Sequence, residues 1–259
     1  NTAGTLESGS VIDIKSLNVE NQNGRITGFD RVSIDGKINN TQGEIISSGS
    51  DVILNSENVQ NVRGLIKGYT KAELNVGSIL NKEGKVLSTG VVEVNTPNEY
   101  VYEGLIEGDI LTAINADKIT VNEAINRNSA LSLEGKQGIL LNNDVTARIL
   151  QLSTQADFNN SHTVKGAEHL YIEAKNINND SQLLSDNTVY IKADNLYNRS
   201  RLEAQDNGIY KITSGGEIKG KDVYLEVAGK TVNGVEEYTQ GTYRREDGTF
   251  VDNRSVVAE

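Results

Sequence analysis

Cysteine is absent from this chain, which removes disulfides, thiolate metal sites and thiol chemistry together and leaves the redox compartment open. Methionine and tryptophan are absent too, and there are only 2 histidines, so few ligand types remain for a transition metal. With Asn1 at its start and no methionine anywhere, the sequence reads as a piece from the interior of a longer protein. No apolar run nears the roughly 18 residues of a spanning helix, and no basic segment followed by an apolar core marks a signal peptide. A single proline leaves nearly every backbone donor free for strand ladders. Basic charge is scarce: 25 Lys and Arg stand against 36 Asp and Glu, and the basic residues are scattered. A net charge of -11 with no basic stripe argues against nucleic acid and acidic lipid surfaces as partners.

What the chain does have is a recurring phrase. Asn21-Gln-Asn-Gly-Arg-Ile26, Asn40-Thr-Gln-Gly-Glu-Ile45, Asn61-Val-Arg-Gly-Leu-Ile66 and Asn81-Lys-Glu-Gly-Lys-Val86 follow one another at about twenty residues, the mark of a stacked repeat. Aligned on the glycine, the coils give columns. One reads Leu6, Ile26, Ile45, Ile66, Val86, Ile106; a second Ile12, Val32, Val52, Ala72, Val92, Thr112; a third Ile14, Ile34, Leu54, Leu74, Val94, Ile114. A fourth holds Val19, Ile38, Val59 and Ile79 and resumes at Ile119. Polar residues such as Asp13, Ser33, Glu73 and Glu93 alternate with these, and alternation with β-branched residues means strands with one face inward. No stretch carries helical periodicity over three turns.

The reading is an all-β chain: a parallel β-helix over residues 1–228, with an antiparallel hairpin extension or edge cap over 229–259. About eleven coils rising about 4.8 Å each predict a rod of about 50 to 55 Å. Ser8, Gly28, Ser47, Gly68, Ser88 and Gly108 form a column of small residues that marks a tight corner. The leading asparagine of each coil is expected to take a left-handed corner conformation and to hydrogen-bond the asparagine of the next coil. Around Asn95 to Tyr102 the phrase loosens, with Val101 where Asn is expected, and a loop bulge is inferred. Beyond residue 122 the glycine is lost, yet Leu131 and Leu133, Leu150 and Leu152, Leu170 and Ile172, and Val189 and Ile191 keep the spacing. Past about residue 205 the register blurs, and Asn233-Gly234 and Asp247-Gly248 read as hairpin turns flanked by Tyr238, Tyr243, Phe250 and Val251.

From Asn1 to Tyr197 the Asn-x-x-Gly-x-Ile opening, the Val-x-Ile strand that follows and the Asn before the next coil resemble the repeats of filamentous haemagglutinin-like exoproteins of two-partner secretion systems. The resemblance implies a right-handed helix, passage through an outer-membrane secretion transporter, and a place outside or on the surface of a Gram-negative bacterium. It implies a monomeric stalk or adhesion segment that engages a protein or glycan receptor on a host or neighbouring cell. The stalk of a contact-dependent growth inhibition protein is the alternative, and a carbohydrate-active β-helix enzyme the more distant one.

Catalysis would need convergent acids. The best cluster, Glu103, Glu107 and Asp109, has Leu87 and Thr89 on the coil before as the equivalents of Glu107 and Asp109, so no second carboxylate stacks on it. Acidic pairs such as Glu236 with Glu237 and Glu246 with Asp247 lack calcium-repeat spacing. His162 and His169 fall on opposite parities of one strand, and Ser214-Gly-Gly216 reads as a lone turn. No catalytic residue, cofactor or metal ligand is assigned, and the segment reads as non-enzymatic. Specificity is expected where the repeat is interrupted, at Tyr100 and Tyr102 and at the terminal hairpins.

Overall fold

The computed structural model describes residues 1–204, 210–213, 215–234, 242–244 and 250–252. Parallel strands stacked about 20 residues apart wind into a β-solenoid of about 10 turns. Each early coil has one short strand and one long one. The short strands, beginning with Thr5–Ser8 and ending with Leu105–Gly108, form one six-stranded wall. The long strands, such as Val11–Glu20 and Asp51–Gln60, run around a bend and supply the remaining faces.

The register follows the sequence columns. Ile26 pairs with Ile45, Ile45 with Ile66 and Ile66 with Val86, and all four side chains are buried. Beyond the loss of the glycine phrase, Leu131, Leu150, Leu170 and Val189 pair in turn, as do Leu133, Leu152, Ile172 and Ile191, each at most 1% exposed. Stacking like on like lets each coil bury its apolar edge against an identical neighbour, so the core grows with coil number. Outward residues on the same strands make short ladders across coils. Lys71 bridges Glu73 and Glu93 at 2.8 Å each, and Asn75 and Asn95 donate to these two acids.

At one corner the leading asparagines turn inward and are fully buried. Asn21 donates from Nδ2 to Asn40 Oδ1, Asn40 to Asn61 and Asn61 to Asn81, each at 2.7 Å. The same amide groups also bond carbonyls of the corner and of the next coil, such as Gly43 and Leu65 for Asn40. The left-handed residues are not these asparagines but those two positions later: Ala3, Asn23, Gln42, Arg63 and Glu83, at φ of 54° to 55°. With its side chain committed to the ladder, the asparagine keeps ordinary backbone angles, and the next position but one absorbs the turn. The glycine that follows is set by crowding, since a Cβ on Gly43 would lie 2.0 Å from the Asn21 carbonyl oxygen. The small-residue corner has the same cause: a Cβ on Gly68 would lie 1.8 Å from the Lys71 carbonyl oxygen.

The interruption near residue 100 is a compensated double change. Asn75 pairs with Asn95 and Asn95 with Asn115, but Tyr100, not Glu99, pairs with Ile119, so Thr96–Asn98 holds one extra residue. The corner then runs from Tyr102 to Gly104, one residue shorter than Asn81 to Gly84, and Leu105 pairs with Lys85 on schedule. Tyr102 therefore occupies the ladder column where Val101 was expected. It pairs with Val121, and Val121 with Leu141, so the asparagine ladder is replaced by apolar and aromatic side chains. It resumes at Asn160 and continues through Asn179 and Asn198 to Asn233, at 2.7 to 2.8 Å per step.

Two further expectations are corrected near the end. Asn233-Gly234 is not a hairpin tip: the strand Thr231–Gly234 lies parallel to the strand Thr188–Arg199, and Asn233 is the last rung of the ladder among the described residues. Gly216 is not part of a lone turn either, because it stands against Asn198 as Gly24 stands against Asn21, and Glu217–Lys219 pairs with the coil before. Ser214 lies outside the described residues. Between Asn198 and Gly216 the chain makes an excursion in which Arg201–Ala204 and Tyr210–Thr213 pair antiparallel. Tyr210–Thr213 then pairs with Thr242–Arg244, and the latter antiparallel with Phe250–Asp252, giving a four-stranded side sheet. Tyr243, Phe250 and Val251 fall on these strands; Tyr238, Asp247-Gly248 and the pairs Glu236 with Glu237 and Glu246 with Asp247 lie outside the described residues.

Candidate functional site

The repeat is most disturbed where the six-stranded wall stops. Its last strand, Leu105–Gly108, pairs back with Lys85–Ser88, whereas the next segment of that wall, Ile125–Asn126, pairs only forward, with Val145 and Thr146. A gap in backbone pairing therefore separates two successive coils. Side chains fill the role of the missing ladder: the Tyr102 hydroxyl donates to the Ile106 carbonyl at 3.2 Å, and the Gly108 N–H donates to Thr112 Oγ1 at 3.0 Å.

Arg127 joins these two hydroxyls. Its guanidinium donates to Thr112 Oγ1 at 3.2 Å and to the Tyr102 hydroxyl, and lies 5.7 Å from the Tyr102 ring centre. The residue is 7% exposed, although it belongs to the column in which Gly108, Ala147, Gly166 and Ser185 are all small. A long cation thus replaces a glycine-sized residue, and the open wall gives it the room. Burial pushes the hydroxyls of Tyr100 and Tyr102 above the ordinary tyrosine range, with the charge of Arg127 pulling both partly back. Both tyrosines are buried and meet edge to face at 6.4 Å, so the expectation of a recognition surface at Tyr100 and Tyr102 is corrected: they pack inside the coil.

A second feature runs along the outside. At the bend of the long strands, Asn75 donates to Asn55, Asn95 to Asn75 and Asn115 to Asn95, at 3.1, 3.0 and 2.8 Å. Beside this outer ladder lies a groove, with one hollow of about 570 Å³ at Asn75, Gly77, Pro97 and Lys136 and another of about 560 Å³ at Leu17, Asp35 and Asn55. The inserted Thr96–Asn98 bulge projects here, and Asn98 is tied to the Gly77 carbonyl at 2.9 Å. Further along, Tyr171, Tyr190 and Tyr224 stack outward on paired positions, with Tyr171 and Tyr190 at 6.3 Å and the Tyr190 hydroxyl donating to Glu226.

The acid cluster does not converge. Glu107 faces outward opposite Leu87, Asp109 is exposed at the following corner, and Glu103 enters the structure through its backbone carbonyl, which accepts from Asn81. His162 lies 4.0 Å from Asp144, and His169 packs against Tyr171 at 5.9 Å. Among the described residues no group of three His, Cys, Asp or Glu could hold a metal ion.

No family model matches the chain, and no curated protein or solved structure does either. The site is accordingly defined by its own geometry. Arg127 was missed because the columns were followed on the glycine phrase, which ends before it. Its signal was there, nineteen residues after Gly108, together with Thr112 in an otherwise apolar column.

The outward charge network has a measurable signature. Lys71 holds Glu73 and Glu93 below the ordinary carboxylate range, chiefly by hydrogen bonding, and both acids hold Lys71 above its own. A lowered folded-state carboxylate contributes stability above its unfolded value, near 4.5, and loses it as pH falls through the folded value. For Lys71 the contribution is present below 10.5 and lost as pH rises through the raised value. The acid arm of a stability-versus-pH curve is therefore expected to be steeper in the wild type than in Lys71→Met. Because the groups are largely solvated, the difference is small, and identical acid arms would show that the bridges contribute nothing.

Proposed function

We propose that this chain is a non-catalytic stalk and adhesion segment of a large secreted bacterial surface protein of the filamentous haemagglutinin-like kind. In this reading it works outside the cell as a monomeric spacer and carries a face that engages a protein or glycan on another cell. The observation that carries the proposal is the combination of a solenoid of about 10 turns, locked from inside by asparagine ladders, with a long outward groove that runs across coils. Repetition supplies reach, and the groove with its projecting Thr96–Asn98 bulge supplies the local departure that recognition needs.

The test uses the full-length surface protein with this segment exchanged for an unrelated β-solenoid of equal length, which keeps the spacing and removes the face. Attachment to host or neighbouring cells is expected to fall at least about tenfold. Changing the groove with Pro97→Lys and Lys136→Glu, both exposed in its lining, should reproduce most of that loss in the native segment. Undiminished attachment after the exchange would remove the adhesion role, and turnover of a polysaccharide by the purified segment would replace the reading with an enzymatic one.

A further inference from the structure

We infer that the break in the wall holds a small monovalent anion, of the size of chloride, against Arg127. Three observations meet at this point. First, Arg127 is a buried cation that makes no ion pair: among the described residues no carboxylate oxygen lies within 4.0 Å of it. A charge removed from water without a counter-charge is costly, and a buried guanidinium is usually matched by a carboxylate or another anion.

Second, the guanidinium has a donor left over. The Arg127 Nε–H is buried with no partner. The two hydroxyl oxygens that do receive Arg127 are already engaged, Tyr102 by donating to Ile106 and Thr112 by accepting from Gly108. An acceptor with no proton of its own answers this surplus better than water, which brings as many donors as acceptors.

Third, a cleft of about 120 Å³ opens beside Arg127 between the two unpaired wall segments, lined by Tyr102, Gly104, Glu107, Glu123, Asn126 and Arg127. It has room for a halide or a one-carbon carboxylate. Glu107 and Glu123 stand along the same cleft, so they weaken binding and favour a single over a double negative charge.

The experiment compares thermal unfolding of the protein in sodium chloride with sodium gluconate at the same ionic strength. Linkage predicts a saturable rise in the midpoint of about 2–4 °C in chloride alone. Arg127→Met, which keeps the length and removes the charge, is expected to abolish the difference. Glu107→Gln at the cleft is expected to tighten chloride binding about two- to fivefold. Should Arg127→Met fold too poorly to read, crystals grown in bromide give a second measure, an anomalous peak within hydrogen-bonding reach of the guanidinium. Equal midpoints in the two salts, an unchanged chloride response in Arg127→Met, or a water in place of bromide would overturn the assignment. Destabilisation by Glu107→Gln or Glu123→Gln would do so as well, since it would show that a protein carboxylate swings in as the counter-ion.

Discussion

Ile66→Asp should abolish cooperative unfolding at neutral pH, or lower stability by about 5 kcal/mol or more. Ile66 is fully buried between Ile45 and Val86 on the coils either side, so the substitution removes an apolar side chain from two interfaces and places a carboxylate where no donor faces it. Burial would raise the pKa of the new acid, and a carboxyl whose folded value is raised is best tolerated when protonated. The deficit relative to wild type at the same pH should accordingly shrink between pH 7 and pH 4. Lys67→Gln, one residue along the same strand and exposed, is the control and should shift the denaturant midpoint little. Equal damage from both substitutions, read by urea titration, would mean that the inward face is assigned wrongly.

Asn40→Ala is expected to cost about 3 kcal/mol or more, far beyond the loss of one average hydrogen bond. Asn40 is fully buried, and its removal strands the Asn61 side-chain oxygen, takes one acceptor from the Asn21 amide, which keeps the Gly24 and Glu44 carbonyls, and takes one donor from the carbonyls of Gly43 and Leu65. The protein itself shows how a ladder can stop without this penalty. At Tyr102, Val121 and Leu141 consecutive rungs are all free of amides, and the polar ends are met locally. The Asn81 amide turns to the Glu103 carbonyl at 3.0 Å, and Asn160 Oδ1 accepts from the His162 N–H at 3.3 Å. The double variant Asn40→Leu with Asn61→Leu should therefore cost much less than the sum of the single ones, because the gap between them disappears. Additive costs would show that the amides act one by one and not as a ladder.

The columns of the first coils were legible because each position is written several times over, so chance substitutions do not hide the period. Tyr102 was harder to place. One residue gained at Thr96–Asn98 and one lost before Gly104 cancel in any count made from glycine to glycine, and only backbone pairing reveals that the asparagine column shifted by one. Arg127 breaks the expectation that a corner column takes only small side chains, and it can do so only because the wall beside it is open, a tertiary fact with no local signature. Asn233-Gly234 failed for the opposite reason. The dipeptide is a strong turn signal locally, and the coil used the same asparagine as a rung of a ladder that began far upstream.

The opening beside Arg127 also bears on how the rod answers force. Over most of the rod, tension or bending along the axis is shared by backbone bonds on every face, and these must be sheared or peeled together. Between Leu105–Gly108 and Ile125–Asn126 one face carries none of that load, which passes instead to the strands pairing Leu111–Val121 with Ala130–Leu141 and to the side-chain clasp of Tyr102, Thr112 and Arg127. Among the described residues, 100–102 likewise pair only forward, and 139–141 only back, so the incompletely paired coils sit together about halfway along the solenoid. A pulled or flexed rod yields there first, and the coils on either side, each with its own intact asparagine ladder, stay wound.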